Sequence, residues 1–293
     1  MPWLQLILET TPDHAEPLSD LLGEAGASAV TFLDSADQPL YEPPPGATPL
    51  WAHTRVIGLF EADCDMDAVL ARLTTALAPT PLPAHRISPL EDKDWEREWM
   101  DSFQPMPFGK RLWIVPSWHQ APDPDAVNIL LDPGLAFGTG THPTTSLCLQ
   151  WLDEHGAAHE QVIDYGCGSG ILAVAALKLG AAHVWAVDND PQALIATRDN
   201  AEKNHVGDAI DAVLPEALPT LTTPLLLANI LAQPLMAFAE RFAGLVEPGG
   251  HIVLSGILEH QAEAVAACYR PWFQMDAPVL QDEWVRLTGT RLG

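Results

Sequence analysis

The feature that most restricts the fold is a strand that leads directly into a glycine-rich turn and a helix, QVIDYGCGSGILAVAALKLG, between Gln161 and Gly180. The apolar run comes first, then Gly166, Gly168 and Gly170, and then a helical stretch that Gly180 closes. Further strand and helix patterns alternate after it. The strand pattern HVWAVD is followed by the helix pattern PQALIATRDNAEKN, and the strand pattern PLLLAN is followed by a helix near Pro234 to Val246. Such alternation predicts the α/β class, with a mostly parallel, doubly wound sheet covered by helices on both faces.

The N-terminal segment, residues 1–92, has a different order of elements. Its strand patterns are WLQLILET, SAVTFLD, WAHTRVIGLFEA and AHRISPL, and its helix patterns are HAEPLSDLLGEAG and DMDAVLARLTTAL. Together they run β-α-β-β-α-β, the order of a ferredoxin-like α+β sandwich. We therefore expect a smaller first domain over residues 1–92 and a second domain over residues 106–293.

A connecting helix is predicted between the two domains, over residues 93–105. Trp95, Trp99 and Phe103 recur there at i, i+4 and i+8, which places the three rings on one helical face. An aromatic stripe of this kind can form a ligand cage, but packing in a core or between domains is its commoner use.

Charge and cysteine content limit the partners and the compartment. Lys and Arg number 14 against 39 Asp and Glu, and the formal charge is -25. This excess argues against broad contact with nucleic-acid phosphates and favours a basic partner, although it also serves solubility. The four cysteines show no zinc-like spacing and indicate a reducing compartment. With no signal peptide or membrane-spanning run, we expect a cytoplasmic protein without a metal.

The spacing of the glycines predicts the class of ligand. A nicotinamide-binding G-x-G-x-x-G needs a glycine where this chain has Ile171. Asp188 ends the next strand, 18 residues after Gly170, where a carboxylate can accept hydrogen bonds from two ribose hydroxyls. Three glycines alone could form a purely structural turn, but with Asp188 they favour a nucleoside site.

A second glycine-rich stretch, LDPGLAFGTGTHPTT over residues 131–145, lies in a part of the chain without basic residues, which indicates that the nucleoside carries little phosphate. Pro143 suits the first position of a helix, and His142 before it is expected to cap or pack. No Lys or Arg occurs between Arg111 and Lys178. S-adenosylmethionine, which combines adenosine, a sulfonium and an amino-acid tail, fits such a site.

Several motifs together carry a resemblance to a known family. DYGCGSG resembles the D-x-G-x-G-x-G signature of Rossmann-like methyltransferases, in which the position of Asp188 holds the ribose. With DPGLAFGTGTHPTT, ANILA, the Trp-rich helix and the N-terminal module, essentially the whole chain resembles the PrmA family. That family methylates large-subunit ribosomal protein eleven. The resemblance implies an S-adenosylmethionine-dependent protein-lysine N-methyltransferase that trimethylates lysine and N-terminal amino groups of that protein.

The resemblance also implies roles for individual residues. It assigns Thr145, Gly166, Asp188 and Asn229 to cofactor binding and Asn229 to the catalytic position. Asn229 is followed by Ile-Leu-Ala, whereas many amide and adenine methyltransferases have Pro-Pro-aromatic. Without a stacking ring, a planar base is disfavoured and an aliphatic amine is favoured.

For the two domains, the resemblance implies that residues 1–92 recognise the protein substrate and residues 106–293 bind S-adenosylmethionine. We expect a monomer with no direct contact to nucleic acid or membrane. Three other functions remain open from the sequence: a small-molecule or ribosomal-RNA methyltransferase, a nicotinamide oxidoreductase, and a non-catalytic module that senses S-adenosylmethionine.

Overall fold

The computed structural model describes residues 3–36, 38, 48–90, 103–132, 142–158 and 161–293. The chain divides into two compact units, Met1–Met100 and Asp101–Gly293. The connecting helix predicted for residues 93–105 falls almost wholly outside the described residues, which there include only 103–105. In the described part of the chain, no helix is both long and apolar enough to cross a membrane.

The N-terminal unit is the ferredoxin-like sandwich that its element order predicted. In chain order it contains β1 (Trp3–Thr10), α1 (Pro12–Glu24), β2 (Ala29–Asp34), β3 (Thr54–Glu61), α2 (Met66–Leu77) and β4 (His85–Leu90). All strand pairs are antiparallel, and the sheet order is β2-β3-β1-β4. The fold class expected for this segment is confirmed.

One apolar cluster holds this unit together. Leu6 and Leu8 of β1 are fully buried and pack with Phe60 of β3 and with Leu22 and Leu73 from the two helices. Each buried side chain of this size contributes about 2 kcal/mol by its removal from water. The alternation of burial along β3 thus directs one face of the sheet towards α1 and α2.

The C-terminal unit alternates strands and helices. Its short first strands are β5 (Met106–Phe108), β6 (Leu112–Val115) and β7 (Val127–Leu130). The main series follows as α3 (Pro143–His155), β8 (Gln161–Tyr165), α4 (Ile171–Lys178), β9 (His183–Val187), α5 (Pro191–Lys203), β10 (Ile210–Val213), β11 (Thr223–Asn229), α6 (Ala232–Ala237), α7 (Ala239–Leu245), β12 (Val246–Leu258), α8 (Ala262–Tyr269), β13 (Phe273–Met275), β14 (Val279–Gln281) and β15 (Trp284–Arg291).

The large sheet has the order β10-β9-β8-β11-β12-β15-β13, with β14 paired to β15. The pairs from β10 to β12 are parallel, and those that involve β15 are antiparallel. Successive residues of β11 enter different cores: Leu225 and Leu227 face α3, α4 and α5, while Leu226 and Ala228 face α6, α7 and α8. The prediction of a mostly parallel sheet with helices on both faces is confirmed.

Two local features differ from the sequence pattern. The helix expected from Pro234 to Val246 is split into α6 and α7 at Phe238, whose side chain packs against Tyr165 and Phe242. Residues 247–250, EPGG, have a composition typical of a turn, but they form a break of register within β12, because Thr223 pairs with Val246 and Leu225 with His251. Neither difference alters the strand order.

Candidate active site

The strand order reverses between β8 and β11, which are neighbours in the sheet but are separated in sequence by β9 and β10. In open α/β sheets a ligand binds outside the carboxyl ends of the strands at such a reversal. Gly166 directly follows β8, and Asn229 is the last residue of β11. The topology therefore brings these two predicted site residues to the same crevice.

The glycine turn after β8 requires glycine for its backbone conformation. Gly166, Gly168 and Gly170 have φ values of 82°, 55° and 77°, a region that side-chain-bearing residues rarely adopt. The N–H of Gly166 donates to the carbonyl of Val187, 2.7 Å away, which ties the turn to β9. The turn thus exposes the backbone of three glycines at the carboxyl end of β8.

Two polar side chains of α5 form hydrogen bonds to carbonyl oxygens of the turn. Thr197 Oγ1 donates to the carbonyl of Gly168 at 3.1 Å, and Asn200 Nδ2 donates to the carbonyl of Ser169 at 2.8 Å. Both side chains are buried. They satisfy carbonyls that the sharp turn removes from regular secondary structure, and so they fix the shape of the turn.

Asp188 is oriented by two backbone donors. Its Oδ2 accepts the N–H of Gly168 and its Oδ1 accepts the N–H of Asp190, each at 3.0 Å. An ionised carboxylate has about four acceptor positions, so these bonds leave capacity for two further donors. A carboxylate with free acceptor positions next to a glycine turn suits the two hydroxyls of a ribose.

The structure joins two predicted residues that lie 84 positions apart in sequence. Asn229 Nδ2 donates to Thr145 Oγ1 over 3.2 Å, and Thr145 itself is buried in the first turn of α3. The end of the second glycine-rich stretch thereby meets the end of β11. The helix also begins at Pro143, as the sequence predicted.

His142 acts as the cap of α3. Its Nδ1 accepts the N–H of Thr144 at 3.3 Å, and its ring packs edge-on against Trp284 with 4.8 Å between centroids. Burial lowers the pKa of His142, which favours the neutral ring that such a cap needs. The expectation that this histidine caps and packs is confirmed.

The start of the same stretch is held by the C-terminal end of α5. Asn204, itself buried, accepts the N–H of Leu130 and donates to its carbonyl, both at 2.8 Å. Lys203 Nζ donates to Asp132 at 3.1 Å. Residues 133–141 of the stretch lie outside the described residues, but both of its flanks are attached to the elements that form the crevice.

Asp164, the acid of the glycine signature, is buried one residue before the end of β8. Its Oδ2 accepts the N–H of Ala173 at 3.0 Å, while Oδ1 has no hydrogen-bond partner in the described part of the protein. Burial raises the pKa of Asp164 to about 7, the Ala173 bond opposes the rise, and the nearby charge of Asp188 adds to it.

A family model described as ribosomal protein L11 methyltransferase (PrmA) matches residues 2–292. The chain belongs to the PrmA family. Its fold and its membership in this methyltransferase family agree with the resemblance that the motifs indicated.

Curated relatives match the PrmA chain over nearly its whole length. A ribosomal protein L11 methyltransferase of Marinobacter nauticus is 58% identical over 295 residues, which is 99% of each chain. One from Pseudomonas aeruginosa is 56% identical over 292 residues, again 99% of each chain. The crystal structure of a ribosomal protein L11 methylase from Lactobacillus delbrueckii subsp. bulgaricus is 32% identical, with a TM-score of 0.60, and covers 65% of this chain and 100% of that one.

Sequence reasoning did not find all the residues that shape this PrmA site. It singled out Thr145, Gly166, Asp188 and Asn229, and it missed the polar residues of α5 described above. A signal for them was present, because Thr197, Asn200 and Asn204 recur at helical spacing along α5 and its C-terminal cap. Among the described residues, no cluster of His, Cys, Asp or Glu side chains is arranged to hold a metal ion.

Proposed function

We propose that this protein uses S-adenosylmethionine to trimethylate lysine and N-terminal amino groups of ribosomal protein L11. Its membership in the PrmA family over residues 2–292 supports the substrate. The observation that carries the chemistry is the contact of Asn229 with Thr145 at the strand-order reversal, beside the turn that begins at Gly166. We expect the reacting amine to lie at this crevice.

The residues present suit the cofactor. We assign the ribose hydroxyls to Asp188 and the close approach of the nucleoside to the bare backbone at Gly166. The hydroxyl of Thr145 and the N-terminus of α3 suit the carboxylate of the methionyl part. When bound, S-adenosylmethionine supplies an electrophilic methyl group on a positively charged sulfur.

The reaction needs a neutral amine. A lysine with a pKa near 10.4 is uncharged in roughly one molecule of 2,500 at pH 7, a cost of about 4.6 kcal/mol. Desolvation in the crevice and the cofactor's positive charge both lower that pKa. Asn229 or neighbouring carbonyls then accept an N–H and align the nitrogen with the methyl group, so we infer that no single general base is required.

The residue after the Asn229-Ile230 pair supports an aliphatic acceptor. Leu231 is half exposed, with 51% of its surface accessible, at the start of α6. An apolar side chain here suits the methylene stem of a lysine, since the stem is apolar and only its end is charged. A planar base would have no aromatic partner from this segment.

We assign substrate recognition to residues 1–92, linkage to residues 93–105 and catalysis to residues 106–293. Residues 1–105 hold 18 of the acidic residues against 5 basic ones, which suits a lysine-bearing partner. We also place the protein in the cytoplasm, where its substrate is made, and we expect it to act as a monomer without direct contact to nucleic acid.

The test is the intact mass of purified ribosomal protein L11 after incubation with this protein and S-adenosylmethionine, followed by peptide mapping. We expect increments of about 14 Da that accumulate in threes at lysines or at the N-terminus. A reaction without S-adenosylmethionine is the control. An unchanged mass, while calorimetry detects cofactor binding, would reject the substrate and favour the sensor function.

Recognition by the N-terminal unit has its own test. A variant that lacks residues 1–92 should bind S-adenosylmethionine with unchanged affinity but should no longer methylate L11. The full-length protein, assayed under the same conditions, is the reference. Full activity of the shortened chain on L11 would show that recognition lies in residues 93–293.

A further inference from the structure

Ile230, which follows Asn229, is held between Gly166, which follows β8, and Gly256 of β12. A Cβ atom added to Gly166 would collide with Cγ2 of Ile230, well inside the 3.0 Å limit for real Cβ contacts. One added to Gly256 would collide with the carbonyl oxygen of Ile230 and would lie 2.7 Å from its carbonyl carbon. Gly166 thus contacts the side chain of Ile230, and Gly256 contacts its main chain.

Gly256 reaches this position through a bulge in β12. Asn229 and Ser255 are the last pair of the parallel β11–β12 ladder. On the other side of β12, the pairing with β15 shifts register between Leu254 and Ile257. The shift leaves Gly256 with a φ of 85° and turns its backbone onto the peptide that follows Asn229.

We infer that Gly256 is a positioning residue for methyl transfer, which fixes the main chain of Ile230 and thereby the Asn229 amide against Thr145. This inference rests on the proposed function. A side chain at Gly256 would force the Ile230 carbonyl to retreat by roughly half an ångström or more, because the obstacle is backbone. A displacement of about 1 Å in a reacting geometry can cost about 100-fold in rate.

The chain supplies a matched control in the same strand. Gly249 has a φ of 81°, close to that of Gly256, yet an added Cβ there would meet no atom within 4 Å in the described part of the chain. Gly249→Ala and Gly256→Ala therefore impose similar backbone strain. They differ in whether the new methyl group strikes the peptide beside Asn229.

The experiment measures kcat and KM for L11, together with calorimetric Kd values for S-adenosylmethionine, in both variants and the unmodified protein. We expect Gly256→Ala to lower kcat by about 10- to 100-fold while both KM and the cofactor Kd change less than about threefold. Gly249→Ala should keep kcat within about twofold. Equal kcat values for the two variants, or a parallel loss of cofactor affinity in Gly256→Ala, would overturn the inference.

Two further measurements keep the test decisive. If Gly256→Ala does not fold, Asn229→Ala removes the amide that Gly256 is inferred to position; an unchanged kcat there would overturn the positioning role. If the unmodified protein methylates nothing, the proposed function fails, and crystal structures of the glycine variants judge the positioning instead. Gly256→Ala should then break the Asn229–Thr145 hydrogen bond that Gly249→Ala retains, and an intact bond would overturn the inference.

Discussion

Asp164 makes the stability of the protein depend on pH in a defined direction. Burial raises its folded-state pKa to about 7, whereas an unfolded aspartate titrates near 3.9. The unfolded chain therefore releases this proton at a lower pH than the folded protein does. As a result, Asp164 stabilises the fold least above pH 7, and its unfavourable contribution grows as the pH rises from about 4 to about 7.

The magnitude follows from the two pKa values. By linkage, the folded protein loses about 2 to 3 kcal/mol between pH 5 and pH 8 through this group alone. Asp164→Asn removes the titration, while its amide oxygen can still accept the N–H of Ala173. The unpaired amide nitrogen carries a cost of its own, but that cost does not change with pH.

The assay is urea unfolding of both proteins at pH 5 and pH 8, at equal ionic strength, with m-values compared. We expect the stability of Asp164→Asn relative to the unmodified protein to rise by about 2 to 3 kcal/mol between the two pH values. Asp208→Asn, which alters an exposed acid in the short 3-10 turn before β10, is the control. A relative stability that stays constant within about 0.5 kcal/mol, or falls, would refute the assigned burial of an unpaired carboxylate.

Three further outcomes are expected. Asp188→Asn should weaken S-adenosylmethionine binding by about 10- to 100-fold in calorimetry, since hydrogen bonds to a charged acceptor contribute about 1.5–3 kcal/mol, while Asp208→Asn should not; unchanged affinity would remove Asp188 from the ribose site. Asn204→Ala should lower the free energy of unfolding by about 2–4 kcal/mol, because it removes the side-chain partners of both the N–H and the carbonyl of Leu130, and a loss below about 0.5 kcal/mol would contradict that role. The KM for L11 should rise at least several-fold between 50 and 500 mM salt with little change in the cofactor Kd, because salt screens the attraction between the acidic residues of the protein and a lysine-bearing substrate. A salt-independent KM would argue against electrostatic recognition.

Local chemistry made much of the fold predictable. Gly166, Gly168 and Gly170 predicted a turn after the strand, and all three have positive φ values in the structure. Pro143 and Pro191 predicted helix starts that the structure confirms. These features depend on backbone conformations that few residues tolerate, so the sequence shows them directly. The alternation of strands and helices likewise predicted the parallel sheet.

The contacts between distant segments were not predictable in the same way. The hydrogen bond from Asn229 to Thr145 depends on how β11 lies beside α3, and no local pattern specifies that geometry. The unpaired oxygen of Asp164 and the approach of Gly256 to Ile230 also arise from the packing of several strands. The roles of Thr145, Gly166, Asp188 and Asn229 towards a cofactor remain predictions.

The reversal of strand order that creates the crevice also has a kinetic consequence. The ladder between β8 and β11 joins Val162 to Leu225, so it can form only after the chain has closed a loop that includes β9 and β10. Pairings of such high contact order are slow, because loop-closure entropy is lost before any contact forms. We therefore expect the half-sheet of β8, β9 and β10 to assemble first and the β8–β11 seam, where we place the ligand, to close late in folding.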